Sequence, residues 1–141
     1  LKQFNMRWFL FGKSNEYESI TNLALDRIES MEYLNQQYIN SDIDFNEYFD
    51  DVVGVTVPND KVETILLEIS ESLLPYLKTK PIHGSQIIKE IDGKNYLQLK
   101  VIPNYELEML ILSHGEKIKV IEPLFLADKL LDRVNKMKNN Y

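Results

Sequence analysis

The sequence predicts an α+β fold: a few aromatic strands at the N-terminus, then a β-α-β-β-α-β unit with one more helix behind it. Three observations carry the prediction. Val62–Ile69 is almost entirely apolar or β-branched, as in a strand with both faces covered. Asp92-Gly93 lies between two extended stretches, the signal of a two-residue type I′ hairpin. Two helical patterns, opened by Pro103 and Pro123, flank a short β-branched run at Lys117–Ile121. In order from Val62, the first six elements make the split β-α-β, or ferredoxin-like, arrangement.

At the N-terminus, residues 4–11 alternate with a period of two. Met6, Trp8 and Leu10 are expected on one face, Arg7, Phe9 and Phe11 on the other. Residues 12–16 read as a turn. Residues 18–34 read as one or two strands, with Leu23, Leu25 and Arg27 sharing a face. Both arginines then stand on strand surfaces beside apolar neighbours. A lone hairpin is marginal in water, so its partner strands are expected upstream of Leu1 or from a second chain. Residues 35–61 form a polar connection with one short helix, announced by the capping-box pattern Asp44-Phe45-Asn46-Glu47. The expected division is 1–40, a linker at 41–61, and 62–141.

Past Val62–Ile69, Ser70 and Ser72 are candidate N-caps for a helix to about Lys78, with Pro75 tolerated in its first turn. A loop at residues 79–85 leads to a strand at Gln86–Ile91. Tyr96–Ile102 returns with Leu97, Leu99 and Val101 on one face and Gln98 and Lys100 on the other. A helix from Pro103 to His114 ends at Gly115, where a left-handed residue is wanted. In the last helix Ala127, Leu130, Leu131, Val134 and Met137 recur at helical spacing, and Asp128, Lys129, Asp132, Arg133 and Lys136 are expected outside.

A chain of 141 residues suffices for one ordinary domain or two small ones. The formal charge of −6 makes non-specific binding to DNA or anionic membrane unfavourable, although a local basic patch can still hold an anion. No apolar run reaches membrane-spanning length, and no secretory signal is visible. Cysteine is absent, which excludes disulfides, thiolate catalysis and Cys-type zinc sites and suits a reducing, cytoplasmic location. The first residues already read as strand, so the chain is expected to be part of a longer protein.

Few motifs carry chemistry. Asp42, Asp44 and Asn46 begin a calcium-loop pattern, but Glu47 replaces its glycine and Val53 its final glutamate. No phosphate-binding glycine loop and no HExxH motif is present, and no cofactor is expected. His114 ends a helix, where a cation complements the dipole. His83, beside Gly84, Ser85 and Gln86, either hydrogen-bonds a neighbouring strand or forms a polar ligand wall; no triad or nucleophile elbow accompanies it. An enzyme is not expected. Arg7 and Arg27 are sharper. Guanidinium groups offer paired donors to phosphate or carboxylate and stack on rings, so Trp8 and Phe9 beside them suit a nucleotide-like ligand. The plainer reading is two arginines paired with Asp26, Glu29 or Glu32.

These residues resemble a known family. Arg7-Trp8-Phe9-Leu10 is similar to the motif that names the WYL domain, and Leu25-Asp26-Arg27-Ile28 to its second signature. Val62–Ile69, residues 81–86, and Glu106 through Pro123 resemble the extension that follows WYL domains. The resemblance implies the C-terminal part of a bacterial transcriptional regulator. Residues 1–40 would close an Sm- or SH3-like barrel, followed by the ferredoxin-like extension. It also implies an anionic or nucleic-acid-derived effector, such as a nucleotide or single-stranded nucleic acid, and a homodimer. Operator DNA would be read only by a helix-turn-helix domain outside this chain, and no membrane is involved. Arg7 and Arg27 carry over as ligand contacts, Trp8 and Leu10 as structural residues. Phe9 stands where the family has Tyr and lacks its hydroxyl. With His83, Arg7, Phe9 and Arg27 make up the expected binding residues. The alternative is a constitutive dimerisation module with no ligand.

Overall fold

The computed structural model describes residues 1–14, 16 and 19–141. Strands β1 (Lys2–Phe4), β2 (Arg7–Lys13) and β3 (Ile20–Ala24) form an antiparallel sheet in that order. The expected single strand over 4–11 is divided by a tight turn at Asn5-Met6. Both residues have positive φ, 47° and 63°, as a type I′ turn requires. Methionine in the second position hides that turn in the sequence. Met6 therefore projects into solvent and shares no face with Trp8 and Leu10. Along β2, Arg7, Phe9 and Phe11 are half-buried, whereas Trp8 and Leu10 are exposed on the outer face. Within this chain the latter two lie outside the buried core. The expected turn begins too early as well, because Gly12 and Lys13 pair with Thr21 and Ile20. The remainder of that turn at Asn15, and the first strand position at Glu18, lie outside the described residues.

β3 ends at Ala24, and Leu25–Arg27 forms a single 3-10 turn. Arg27 thus stands on a turn and not on a strand. Residues 28–44 form no helix or strand, and Met31 and Tyr33 are exposed, so the extended pattern there finds no partner. Helix α1 (Phe45–Phe49) starts where expected. Asp44 Oδ1 accepts from the Asn46 amide at 2.8 Å. Phe45 and Phe49 pack on Phe11 of β2, with centroids 6.4 and 4.8 Å away. The stretch after α1 is not the solvated connection its polar neighbours suggested. Val52, Val53 and Val55 are buried, and the Asp51 carbonyl accepts from the Ile102 amide at 2.7 Å.

The second unit runs β4 (Glu63–Ile69), α2 (Leu74–Thr79), β5 (Ile87–Ile91), β6 (Lys94–Val101), α3 (Tyr105–Ser113), β7 (Ile118–Glu122) and α4 (Leu124–Lys138). Its sheet order is β5-β6-β4-β7, antiparallel throughout, which is the ferredoxin-like topology with a C-terminal helix. Asp92 and Gly93 have φ of 51° and 74°, so the β5–β6 hairpin is closed by the expected type I′ turn. Leu97, Leu99 and Val101 meet Ile65, Leu67 and Ile69 on one face. Leu77 of α2, Leu107 and Ile111 of α3, and Leu126 and Leu130 of α4 cover that face. The opposite face is open. Leu66 and Glu68 are half-buried there and Lys94 pairs with Glu68 at 3.2 Å, so β4 is not covered on both sides as expected. Antiparallel strands can leave one face to water in this way.

Helix ends differ from expectation in detail. Ser70 and Ser72 cap nothing; their hydroxyls bond each other at 3.0 Å, and α2 begins after a turn at residues 70–74. Asn104, not Pro103, opens α3: its side chain accepts from the Leu107 amide at 2.9 Å. Gly115 follows α3 at φ 58°, the left-handed residue expected there. On α4, Lys129 and Arg133 do not simply face out. Lys129 Nζ lies 2.6 Å from Glu108 Oε1, and Arg133 Nε donates to Glu108 Oε2 at 2.8 Å. Conversely Leu131, Val134 and Met137 are exposed. Leu126 and Leu130 face the core, and the buried Glu108 carboxylate meets Lys129 and Arg133 beside them. No helix among the described residues is long and apolar enough to cross a membrane.

Candidate functional site

A cleft of about 880 Å³ separates the N-terminal sheet from α2 and α3. Arg7 and Phe9 of β2, Asn22 of β3 and Arg27 of the 3-10 turn line one side. The packed segment from Val52 to Thr56 forms its base, held to β3 by Asn22 Nδ2 donating to the Val55 carbonyl at 3.2 Å. The far side carries Tyr76 and Lys80 from α2 and its end, and Tyr105, Glu106 and His114 from α3 and its end.

The structure therefore unites three of the four sequence-predicted residues: Arg7, Phe9 and Arg27. The Arg7 guanidinium carbon lies 5.8 Å from the Phe9 ring centroid. Its Nη2 donates to both carboxylate oxygens of Asp26 at 2.8 Å. That hydrogen bonding, with the guanidinium charge, holds the Asp26 carboxyl below its ordinary range despite some desolvation. The pair is solvent-exposed, so it holds little free energy against a competing oxyanion. Arg7 Nε is buried and has no hydrogen-bond partner among the described residues. Arg27 makes no ion pair among the described residues. The plain ion-pair reading thus holds for Arg7 with Asp26 and fails for Arg27.

His83 stands elsewhere, in a shallow depression with Lys2, Asp50 and Lys100. Its Nδ1 is 2.8 Å from Ser85 Oγ. Ser85 Oγ in turn donates to the Lys100 carbonyl at 3.1 Å and accepts from the Lys100 amide at 2.9 Å. The loop thus hydrogen-bonds a neighbouring strand, one of its two expected readings, and His83 also lines this depression. Nothing joins His83 to Arg7, Phe9 and Arg27.

Several cleft residues were not expected at the site. Tyr76 and His114 meet edge to face at 5.8 Å, and Lys80 Nζ is 5.8 Å from the Tyr76 ring. Burial first, and the Lys117 charge second, push the His114 imidazole below its ordinary pKa. That shift favours the uncharged imidazole at the edge of the cleft. Glu106 is the most constrained residue. Its Oε1 accepts from the Val55 amide (3.3 Å), the Thr56 amide (3.1 Å) and Thr56 Oγ1 (2.8 Å). Oε2 is buried with no hydrogen-bond partner among the described residues. Gly54 makes room for it: at φ 84°, a Cβ there would lie 2.7 Å from Glu106 Cγ.

Asn104 ties this arrangement to α3. Besides capping the helix, its Nδ2 donates to the Val53 and Thr56 carbonyls at 2.7 and 2.8 Å, and the residue is buried. Asn104→Ala is expected to destabilise the protein by about 2 kcal/mol, the sum of a lost cap and two stranded carbonyls; urea unfolding checks it, and a loss under about 0.5 kcal/mol would rule it out.

The β4-to-α4 unit that supplies the far side also decides the family. Residues 61–138, more than half of the chain, match the WCX domain. The chain belongs to the WCX domain family. No curated protein gives a significant match. The WCX domain is a C-terminal domain associated with WYL domains. Here it contributes Tyr76, Lys80, Glu106 and His114 to the cleft, and the residues before it contribute Arg7, Phe9 and Arg27.

Proposed function

We propose that the chain is the effector-sensing region of a WYL-type transcriptional regulator, and that the effector is an anionic, nucleic-acid-derived molecule held in the cleft. One observation carries this reading: two arginines, one on β2 and one on the 3-10 turn after β3, line the same cleft as the aromatic and basic residues of the WCX domain. In an acidic chain that concentration of Arg7, Arg27 and Lys80 is a local exception, and it favours an oxyanion over a neutral ligand. Phe9, Tyr76 and Tyr105 add ring surface on which a base can stack. A ligand touching both sides would bias how the sheet and the WCX domain sit, which is what a sensor must do to act at a distance.

Titration of nucleotides and short single-stranded DNA tests the proposal. Arg7→Ala and Arg27→Ala are each expected to weaken binding by about tenfold to a hundredfold, the worth of a charge-assisted hydrogen bond. Undiminished binding by both variants would reject it. The second reading, a ligand-indifferent dimerisation module, is favoured by the exposed Leu124, Phe125, Leu131 and Val134 of α4. Light scattering in the same titrations separates the two. A dimer that no nucleotide alters supports the second.

A further inference from the structure

An arginine side chain is long and has several rotatable bonds, so a free guanidinium loses conformational freedom when a ligand takes it. Arg7 is not free. On the β2–β3 ladder Phe9 pairs with Ala24, Leu10 with Leu23 and Phe11 with Asn22. Continuing that register by two residues sets Asp26 opposite Arg7. The strand stops at Ala24, but the pairing persists in the side chains: Arg7 Nη2 donates to Asp26 Oδ1 and Oδ2 at 2.8 Å.

The same 3-10 turn carries Arg27. Arg7 and Arg27 line the cleft, whereas Asp26 does not. A ligand in the cleft therefore need not displace Asp26, which engages only Nη2 of the guanidinium. Resting on the cleft being the effector site, we propose that Asp26 is a positioning residue: it holds the Arg7 guanidinium at the cleft from outside, so that one 3-10 turn sets the places of both arginines. The ligand class that gains from two placed guanidinium groups is an oxyanion with several acceptor oxygens, such as a phosphate monoester.

Charge alone predicts the opposite effect, because removing an anion beside an anion site should tighten binding. Two variants separate the effects. Asp26→Asn and Asp26→Ala remove the same charge, but only asparagine keeps an acceptor for Arg7. The ratio of their affinities thus reports positioning alone. The experiment is calorimetric titration of the 141-residue chain with AMP. Asp26→Ala is expected to bind AMP about threefold to fivefold more weakly than Asp26→Asn, the upper range for an exposed pair. In an Arg7→Ala background the two are expected to bind equally, since Asp26 acts only through Arg7. Their urea midpoints should agree, because the pair is solvent-exposed; midpoints that differ would make Asp26 a structural residue and overturn the proposal. If Arg7→Ala weakens AMP but the Asp26 variants bind equally, or their difference persists without Arg7, the role of Asp26 is wrong and the site stands. If Arg7→Ala does not weaken AMP, or AMP does not bind the wild type at millimolar concentration, the site reading fails and this inference with it.

Discussion

Replacing Lys129 and Arg133 together by alanine is expected to lower the unfolding free energy by about 3–5 kcal/mol, because it strands a buried carboxylate. Glu108 is 1% exposed and sits between α3 and α4. Each of its oxygens meets one cation, at 2.6 Å from Lys129 and 2.8 Å from Arg133. Arg133 also lies 5.4 Å from the Tyr105 ring, which keeps the guanidinium against α3. The expected loss is a large part of the roughly 5–15 kcal/mol that holds a domain of this kind. Adding Glu108→Met to the double variant should recover most of it, since a methionine there fills the site without charge. Urea unfolding at pH 7 measures all three. A double variant within about 1 kcal/mol of wild type would mean that Glu108 reaches water, contrary to its burial.

Leu99→Ala is expected to cost about 2–5 kcal/mol, the range for removing a buried leucine and leaving a cavity. Leu99 is 0% exposed and lies opposite Ile65 in the β4–β6 ladder, at the centre of the core. The neighbouring residue supplies the control. Lys100 is exposed on the open face, and only its backbone joins Ser85. Lys100→Ala should therefore change stability by about 0.5 kcal/mol or less. Equal costs for the two would mean that the open face is packed.

The contrast between Leu99 and Lys100 also shows what a chain discloses of itself. Burial of one sheet face imprints a period of two on β6, and a type I′ turn demands residues such as Asp92-Gly93. Both features are local, so both could be read directly. The Asn5-Met6 turn has the same backbone but lacks its usual glycine, and it passed as strand. Arg27 lies one 3-10 turn beyond the end of β3, and apolar alternation alone could not reveal where the ladder stops.

The site divides along the same line. Arg7, Phe9 and Arg27 could be named early because an arginine in an apolar, aromatic run is chemically unusual. Tyr76, Lys80, Glu106 and His114 could not, since each is ordinary on its own helix and gains meaning only from what faces it. His83 stands apart from these residues, in a separate depression, and the hydrogen bonds of its neighbour Ser85 close on β6.

Local chemistry by itself determined the α+β class, the order of elements from β4 onward, the β5–β6 hairpin and the residues of its core face. Only the tertiary structure decided which residues share a cleft, which charges are buried and which apolar stripe is left bare. Periodicity reports how much of one element is covered. It does not report by what: the contact of Glu108 with Lys129 and Arg133 joins α3 to α4, and neither helix encodes it alone.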